Sequence, residues 1–263
     1  MTILDTIVRQ KRLEVDLKKT IVPLKEMERS RLFDRETISL VQRLNSSHSG
    51  IIAEFKRRSP SKAVINQGST VNEVARGYEH AGACGMSVLT DSTFFGGSLD
   101  DLKIARAACE IPLLRKDFVL EPYQIIEAKA AGADVVLLIA AILEPKTFTE
   151  LNSLAKSLNL EVLAEVHNEK ELLDIIDAEV DMIGVNNRNL KTFDVSLHTS
   201  KRLSEIIPDS MTKVSESGLH SARVITELRS FGYRGFLIGE SFMKTDNPGI
   251  AATNLIKVLD DEA

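Results

Sequence analysis

From Ile51 onward the chain alternates between two patterns. Short apolar runs recur at intervals of roughly 22 to 35 residues, each followed by a polar stretch whose apolar positions fall at helical spacing. The runs begin at Ile51 (IIAEF), Met86 (MSVLT), Pro112 (PLLRKDF), Asp134 (DVVLLIA), Glu161 (EVLAEV), Met182 (MIGVN), Thr212 (TKVSE) and Phe236 (FLIGE). Near-continuous apolarity suits parallel strands covered on both faces. Eight strand-then-helix units predict an α/β fold, a closed (β/α)8 barrel of the TIM type, although an open doubly wound sheet carries the same alternation. Polar residues at the ends of the runs favour the barrel, because barrel enzymes keep their chemistry at the C-terminal ends of the strands. Glu54 and Lys56 close the first run, Lys116 and Asp117 the third, Glu165 the fifth, Asn186 and Arg188 the sixth, and Glu216 and Ser217 the seventh.

The segment before these units reads differently. It is rich in Lys, Arg, Glu and Leu, lacks Gly as far as Ser49, and predicts two or three short helices. A polar stretch from Asn45 to Gly50 marks the boundary. We therefore expect one domain over residues 1–263, with 1–47 as an N-terminal helical extension and 48–263 as the barrel. No residues remain after the eighth unit for a second fused enzyme.

Composition narrows the function classes. With 43% hydrophobic residues the chain can bury a large core, which argues against disorder. The net charge of −5 comes from interleaved acids and bases, so there is no basic stripe for a nucleic-acid backbone. The longest apolar run, Val135 to Leu143, is too short to cross a membrane, and the N-terminus has no apolar signal core, so a cytoplasmic protein is expected. Cys84 and Cys109 stand alone, without metal-ligand spacing or a nearby His, and should pack as small apolar side chains. No metal site is expected.

Candidate chemistry clusters at the strand ends. Lys116 follows an apolar run; beside Glu54 or Glu165 it would stay protonated, as a general acid or as half of a structural ion pair. Glu54 and Glu165 are carboxylates on otherwise apolar strands, either acid and base or counter-ions for barrel cations. KRRSPS (Lys56 to Ser61) combines cations, hydroxyls and a proline turn, with Lys56 and Ser59 nearest the mouth and Arg57 and Arg58 read as solvated. SESG and IGES, after the seventh and eighth runs, have the form of the barrel phosphate site, where backbone N–H groups meet an anion. Asn186, Asn187 and Arg188 offer amides and a planar cation for a carboxylate, or a capped turn. The five histidines lack metal spacing; His167 reads as a loop hydrogen-bonder.

The strings IIAEFKRRSPS, VLTDSTFFGGSLDDL, LLRKDFVLEPYQIIEAKAAGAD, LAEVHN, IGVNNRNL, VSESG and FLIGESFM, spanning about Gly50 to Met243, resemble the indole-3-glycerol-phosphate synthase family. The resemblance implies a cofactor-free carboxy-lyase of tryptophan biosynthesis. Its substrate would be a small molecule, 1-(2-carboxyphenylamino)-1-deoxyribulose 5-phosphate, which loses carbon dioxide and water to give indole-3-glycerol phosphate. Carried onto matching positions, Lys116 would be the general acid at the ketone and Glu165 the proton carrier in dehydration. Glu54, Lys56, Asn186 and Ser217 complete the implied catalytic set. Lys56 and Lys116 both remain candidates for the dehydration proton.

Arg188 would hold the carboxylate; Ser59, Gly218, Gly239 and Glu240 the phosphate; Phe95, Phe118 and Leu137 the aromatic ring; Leu89 and Glu216 would also bind the substrate. A monomer is the favoured state. Two positions depart from the family pattern: Ala63 stands where glycine is frequent, and Glu240 where some members have serine. A glutamate there suits a phosphate only through its backbone N–H. An isomerase of the same fold would need a cysteine at the end of the first strand, where Glu54 and Lys56 stand. A barrel reduced to ligand binding would lack the acid, base and clamp residues present here.

Overall fold

The computed structural model describes residues 2–190 and 192–261. Three helices come first: α1 (Ile3–Ile21), α2 (Leu24–Glu28) and α3 (Leu40–Ser46). Eight strands follow: β1 (Ile51–Phe55), β2 (Gly85–Leu89), β3 (Leu113–Lys116), β4 (Val135–Ile139), β5 (Glu161–Val166), β6 (Met182–Asn186), β7 (Thr212–Glu216) and β8 (Gly235–Ile238). Between and after them lie α4 (Val71–His80), α5 (Leu99–Ala108), α6 (Pro122–Ala130), α7 (Pro145–Ser157), α8 (Glu169–Ile175), α9 (His198–Ser204), α10 (Ala222–Arg229), α11 (Glu240–Met243) and α12 (Pro248–Asp261). The strands pair in parallel and in sequence order, and β8 closes onto β1. The barrel is therefore observed, and the open-sheet alternative falls.

Side-chain alternation along the strands separates two cores. Outward positions such as Ile51, Ala53, Val136, Leu138, Val162 and Ala164 pack against the surrounding helices. Inward positions build layers inside the barrel, as strands of this tilt require. One layer comes from the four odd strands: Ile52, Leu114, Leu163 and Val214, all fully buried. Two residues further along the same strands stand Glu54, Lys116, Glu165 and Glu216. The aliphatic core of the barrel thus ends in a charged layer of three acids and one lysine.

The N-terminal segment differs from the expectation of two or three short helices, since α1 alone runs 19 residues. A capping box at Thr2 and Asp5 starts it, and Pro23 follows its end. Its buried face is Ile7, Lys11 and Val15, one residue per turn. Lys11 is 1% exposed, and its Nζ lies 3.0 Å from Asp91 and 2.9 Å from Asp117, at the C-terminal ends of β2 and β3. The same Asp117 pairs with Arg115 at 3.0 Å. This buried network pins α1 across one end of the barrel. At the other end α3 inserts Leu40 and Leu44 into the interior core. Its first turn is fixed by Glu161, whose carboxylate accepts from Ser39 Oγ and from the Leu40 and Val41 amides.

Candidate active site

A cavity of about 670 Å³ opens at the C-terminal end of the strands. All sixteen residues that the family resemblance assigns to the site line it: Glu54, Lys56, Ser59, Leu89, Phe95, Lys116, Phe118, Leu137, Glu165, Asn186, Arg188, Glu216, Ser217, Gly218, Gly239 and Glu240. Each strand contributes at its terminus, where the inward side chain no longer has an aliphatic layer above it.

Lys116 occupies the centre of the charged layer. Its Nζ lies 2.6 Å from Glu216 Oε2 and 3.2 Å from Glu165 Oε2. Burial by itself would depress the ammonium, but Glu216, Glu165 and Glu54 outweigh it and hold Lys116 above its ordinary value. The two carboxylates diverge. Burial raises Glu165, yet the charges of Lys116 and His167 and hydrogen bonds from Lys116 and Asn186 bring it below the usual range. Burial also raises Glu216; with Lys116 pulling down and Glu165 and Glu54 pushing up, it is raised to about 7. One ionised carboxylate and one that exchanges its proton near neutrality flank a single ammonium, the pattern expected of acid–base chemistry.

The sequence points to Glu216 only as a substrate-binding residue at the end of the seventh strand, and its pairing with Lys116 emerges from the structure. Gly184, inward on β6, makes the pairing possible: a Cβ there would lie 2.6 Å from Glu216 Oε1. Gly239 does the same for Glu54, whose carboxylate occupies the space a side chain at 239 would need. Glu54 Oε1 in turn lies 2.6 Å from Lys56 Nζ, so Lys56 and Lys116 hold different carboxylates.

Asn186 is oriented by its acceptor side. Its Oδ1 accepts from Ser217 Oγ at 2.9 Å and from the Arg188 amide at 3.0 Å, which turns the NH2 toward Glu165. Ser217 and Gly218 take successive left-handed conformations, φ 68° and 79°, folding the strand-seven loop back over the cavity. For serine this costs of order 1–3 kcal/mol, a cost typical of functional loops. Arg188 donates to the Phe193 carbonyl at 3.2 Å. At the opposite rim Glu240 pairs with Lys62 at 3.0 Å, so its carboxylate is engaged by a cation and its backbone begins α11 beside Gly239. Phe95 and Phe118 face each other with ring centroids 5.9 Å apart.

Several sequence readings change. Arg57 and Arg58 are not merely solvated: Arg57 forms a two-pronged pair with Asp101 at 2.7 and 2.8 Å, and Arg58 donates to the Ser92 and Thr93 carbonyls. Arg58 ties the loop after β1 to the loop after β2, and Arg57 ties it to the first turn of α5. Asn187 is turned into the barrel wall, bonded to Ser200 and Ser215, and Asp117 belongs to the α1 anchor. Sequence reasoning missed two apolar walls of the cavity. Ile3, Leu4 and Ile7 of α1 form one, and Leu190, Phe193, Val195 and Leu197 after β6 form the other. Both cysteines are buried and unpaired, with burial pushing each thiol up, which removes the isomerase alternative's nucleophile. Among the described residues no group of three or more His, Cys, Asp or Glu stands at metal-binding spacing.

Comparison with known proteins gives one answer. The family model described as indole-3-glycerol phosphate synthase matches residues 4–255. An indole-3-glycerol phosphate synthase from Bacteroides thetaiotaomicron is 46% identical over 257 residues, covering 98% of each chain. One from Albidiferax ferrireducens is 41% identical, covering 96% of this chain and 97% of that one. Among solved structures, a thiamine phosphate pyrophosphorylase from Pyrococcus furiosus shares the fold with a TM-score of 0.60 at 16% identity, covering 82% of this chain and 97% of that one.

Proposed function

This chain belongs to the indole-3-glycerol phosphate synthase family, carboxy-lyases of tryptophan biosynthesis that act on a small-molecule substrate, and we propose how its residues divide the reaction. The observation that carries the assignment is Lys116 held between Glu165 and Glu216 at the floor of the cavity. Arg188 grips the anthranilate carboxylate through two N–H groups, and Asn186 meets a sugar hydroxyl. Ser59 and the backbone amides at Gly218, Gly239 and Glu240 take the phosphate. Leu89, Phe95, Phe118 and Leu137 enclose the ring and exclude water. Holding both ends folds the flexible chain so that the ring carbon approaches the ketone, a gain of up to about 7–11 kcal/mol in favourable cases.

Lys116 then protonates the ketone oxygen as the ring carbon attacks. Carbon dioxide leaves, restoring the aromatic ring, and Glu165 removes a proton from the substrate carbon as the hydroxyl departs as water, taking its proton from Lys56 or from Lys116 once Glu216 has reprotonated it. The ionised state of Glu165 and the raised Glu216 support this division, since the pair can take one proton and give another at neutral pH. Glu54 keeps Lys56 at the rim, and Ser217 orients Asn186.

The test is turnover of 1-(2-carboxyphenylamino)-1-deoxyribulose 5-phosphate, followed by the fluorescence of the indole product. Wild type without added metal should give product, and Glu165→Gln should bind the substrate with at least a hundredfold slower turnover, within the range for one acid–base group. Full activity in the variant would move the proton carrier elsewhere, first to Glu216.

The same proposal has the chain working as a cytoplasmic monomer with no nucleic-acid partner. Interleaved charge supports the last point. Among the described residues no helix is long and apolar enough to cross a membrane. Cell fractionation and light scattering test location and state; a mass of two chains would overturn the monomer.

A further inference from the structure

Behind Glu165, outside the cavity lining, the turn from β5 into α8 builds a second proton-bearing pair. Glu171 is held rigidly there. Its Oε2 accepts the His167 amide at 2.7 Å, its Oε1 accepts Asn168 Nδ2 at 2.6 Å, and its own amide donates to Asn168 Oδ1 at 3.0 Å. The same Oε2 lies 3.1 Å from His167 Nδ1. A carboxylate oxygen only accepts, so Nδ1 must carry a hydrogen.

That fixes what the other nitrogen can be. Nε2 is enclosed, has no hydrogen bond of its own among the described residues, and lies 3.4 Å from Glu165 Oε1. With Nδ1 protonated, a neutral imidazole would turn a lone pair toward a carboxylate oxygen. The contact is attractive only if one proton sits between Nε2 and Oε1, either as imidazolium with carboxylate or as imidazole with carboxylic acid.

We propose that His167 is a positioning residue for the reaction: Glu171 fixes it with Nδ1 protonated, so that Nε2–H holds Glu165 ionised and keeps its second oxygen turned toward Lys116. The surroundings support this. Glu165 on β5, Glu171 on α8 and Glu216 on β7 all face the ring, with Lys116 of β3 beyond Glu165. Burial by itself would push the imidazole down, and the hydrogen bond to Glu171 with the charges of the three glutamates outweighs it. Loss of this proton would set two lone pairs face to face, release Glu165 from its orientation and lower turnover on the alkaline side.

The inference rests on Glu165 being a proton carrier, so its test includes a readout independent of catalysis. In the full chain labelled at histidine nitrogens, NMR titration reports the tautomer and midpoint of His167, identified by the signal lost in His167→Asn. The expected result is a neutral form protonated at Nδ1 and a midpoint above the ordinary value of about 6.5. In Glu171→Gln, which leaves the ring in place, the midpoint should fall by about a unit, and the alkaline limb of kcat should move with it. His167→Asn should lower kcat by roughly tenfold or more with KM within about threefold, and lose that limb. A midpoint at or below the ordinary value, no shift in Glu171→Gln, or a His167→Asn profile that superimposes on wild type would each overturn the proposal. If His167→Asn does not fold, the Glu171→Gln titration decides alone. A fully active Glu165→Gln would instead sink the Glu165 assignment while leaving the titration result standing.

Discussion

Replacing Lys116 by Met keeps the unbranched apolar stem of the side chain and removes the ammonium, with its charge and its hydrogen bonds to Glu165 and Glu216. In the wild type the ammonium lies 2.6 Å from Glu216 and 3.2 Å from Glu165, and both carboxylates are less than 5% exposed. Without it neither can stay ionised at low cost. Glu216 already holds its proton up to about pH 7, so the substitution changes its state little. Glu165 is the group that must respond, because its low value depends first on Lys116. Protonating a carboxyl at pH 7 that titrates near 4.3 when unfolded costs about 3–4 kcal/mol, at about 1.4 kcal/mol per pH unit. Breaking a buried pair costs about 3–5 kcal/mol in general, which agrees.

The cost should therefore depend on pH. At pH 5 the same protonation costs only about 1 kcal/mol, since the unfolded chain is itself partly protonated. Urea unfolding of wild type and Lys116→Met at pH 5 and pH 7 measures both differences. The variant should lose about 3–4 kcal/mol at pH 7 and about 1 kcal/mol at pH 5. In the fluorescence assay its kcat should fall at least a hundredfold, as expected when a general acid is removed. An equal stability loss at the two pH values would refute the ionic account of the layer. A folded variant with kcat within about threefold of wild type would refute Lys116 as the acid and leave Lys56.

Glu216, raised to about 7, retains between pH 4.5 and 7 a proton that the unfolded chain has released, so its contribution makes stability fall as pH rises through that window. Wild type should lose about 3 kcal/mol more than Glu216→Gln from pH 4.5 to 8 in urea titrations; parallel curves would refute this. Gly184→Ala should displace the Glu216 carboxylate, because its Cβ would lie 2.6 Å from Oε1, and cut kcat with little change in KM; a crystal structure with Glu216 still on Lys116 would contradict it. Lys11→Met should cost about 3–5 kcal/mol at pH 7 by stranding Asp91 and leaving Asp117 with Arg115 as its one cation among the described residues. It should also raise KM, since the helix it pins supplies Ile3, Leu4 and Ile7 to the cavity, and an unchanged KM would show that the helix does not need this anchor to cover the substrate.

The strands were legible because burial on both faces demands apolar runs, and all eight begin within one residue of the sequence reading. The charged layer was legible for a related reason. Ile52, Leu114, Leu163 and Val214 point inward, and a strand returns to the same face every second residue, which brings Glu54, Lys116, Glu165 and Glu216 inward too. Partnership was not legible. That Lys116 chooses Glu216 over Glu54 depends on the space left by Gly184 and Gly239, a property of neighbouring strands. Nor did helical spacing reveal what α1 covers, though a lysine in the stripe Ile7, Lys11, Val15 was a signal that its apolar face meets buried acids. His167 was invisible as a partner because Glu171, which sets its tautomer, acts through a turn four residues away.

The two ends of this barrel set opposite demands on the same strands. At the N-terminal end Leu40 and Leu44 complete an aliphatic stack. At the C-terminal end Lys116 is shared by Glu165 and Glu216 while Lys56 holds Glu54, and burial first, then the charges of Glu165 and Glu54, pushes Glu216 up toward neutrality. Replacing such a layer with aliphatic residues is often neutral or stabilising by about 1–4 kcal/mol, so stability alone gives no reason for its presence. The charge imbalance has a chemical use. One buried acid per lysine would hold every group firmly in one protonation state; Glu165 and Glu216 sharing Lys116 leave one proton loosely held beside an ionised base. A reaction that adds a proton at a ketone and removes one during dehydration needs both kinds of group within one residue's reach, and this layer supplies them from four strands on a floor of packed aliphatic side chains.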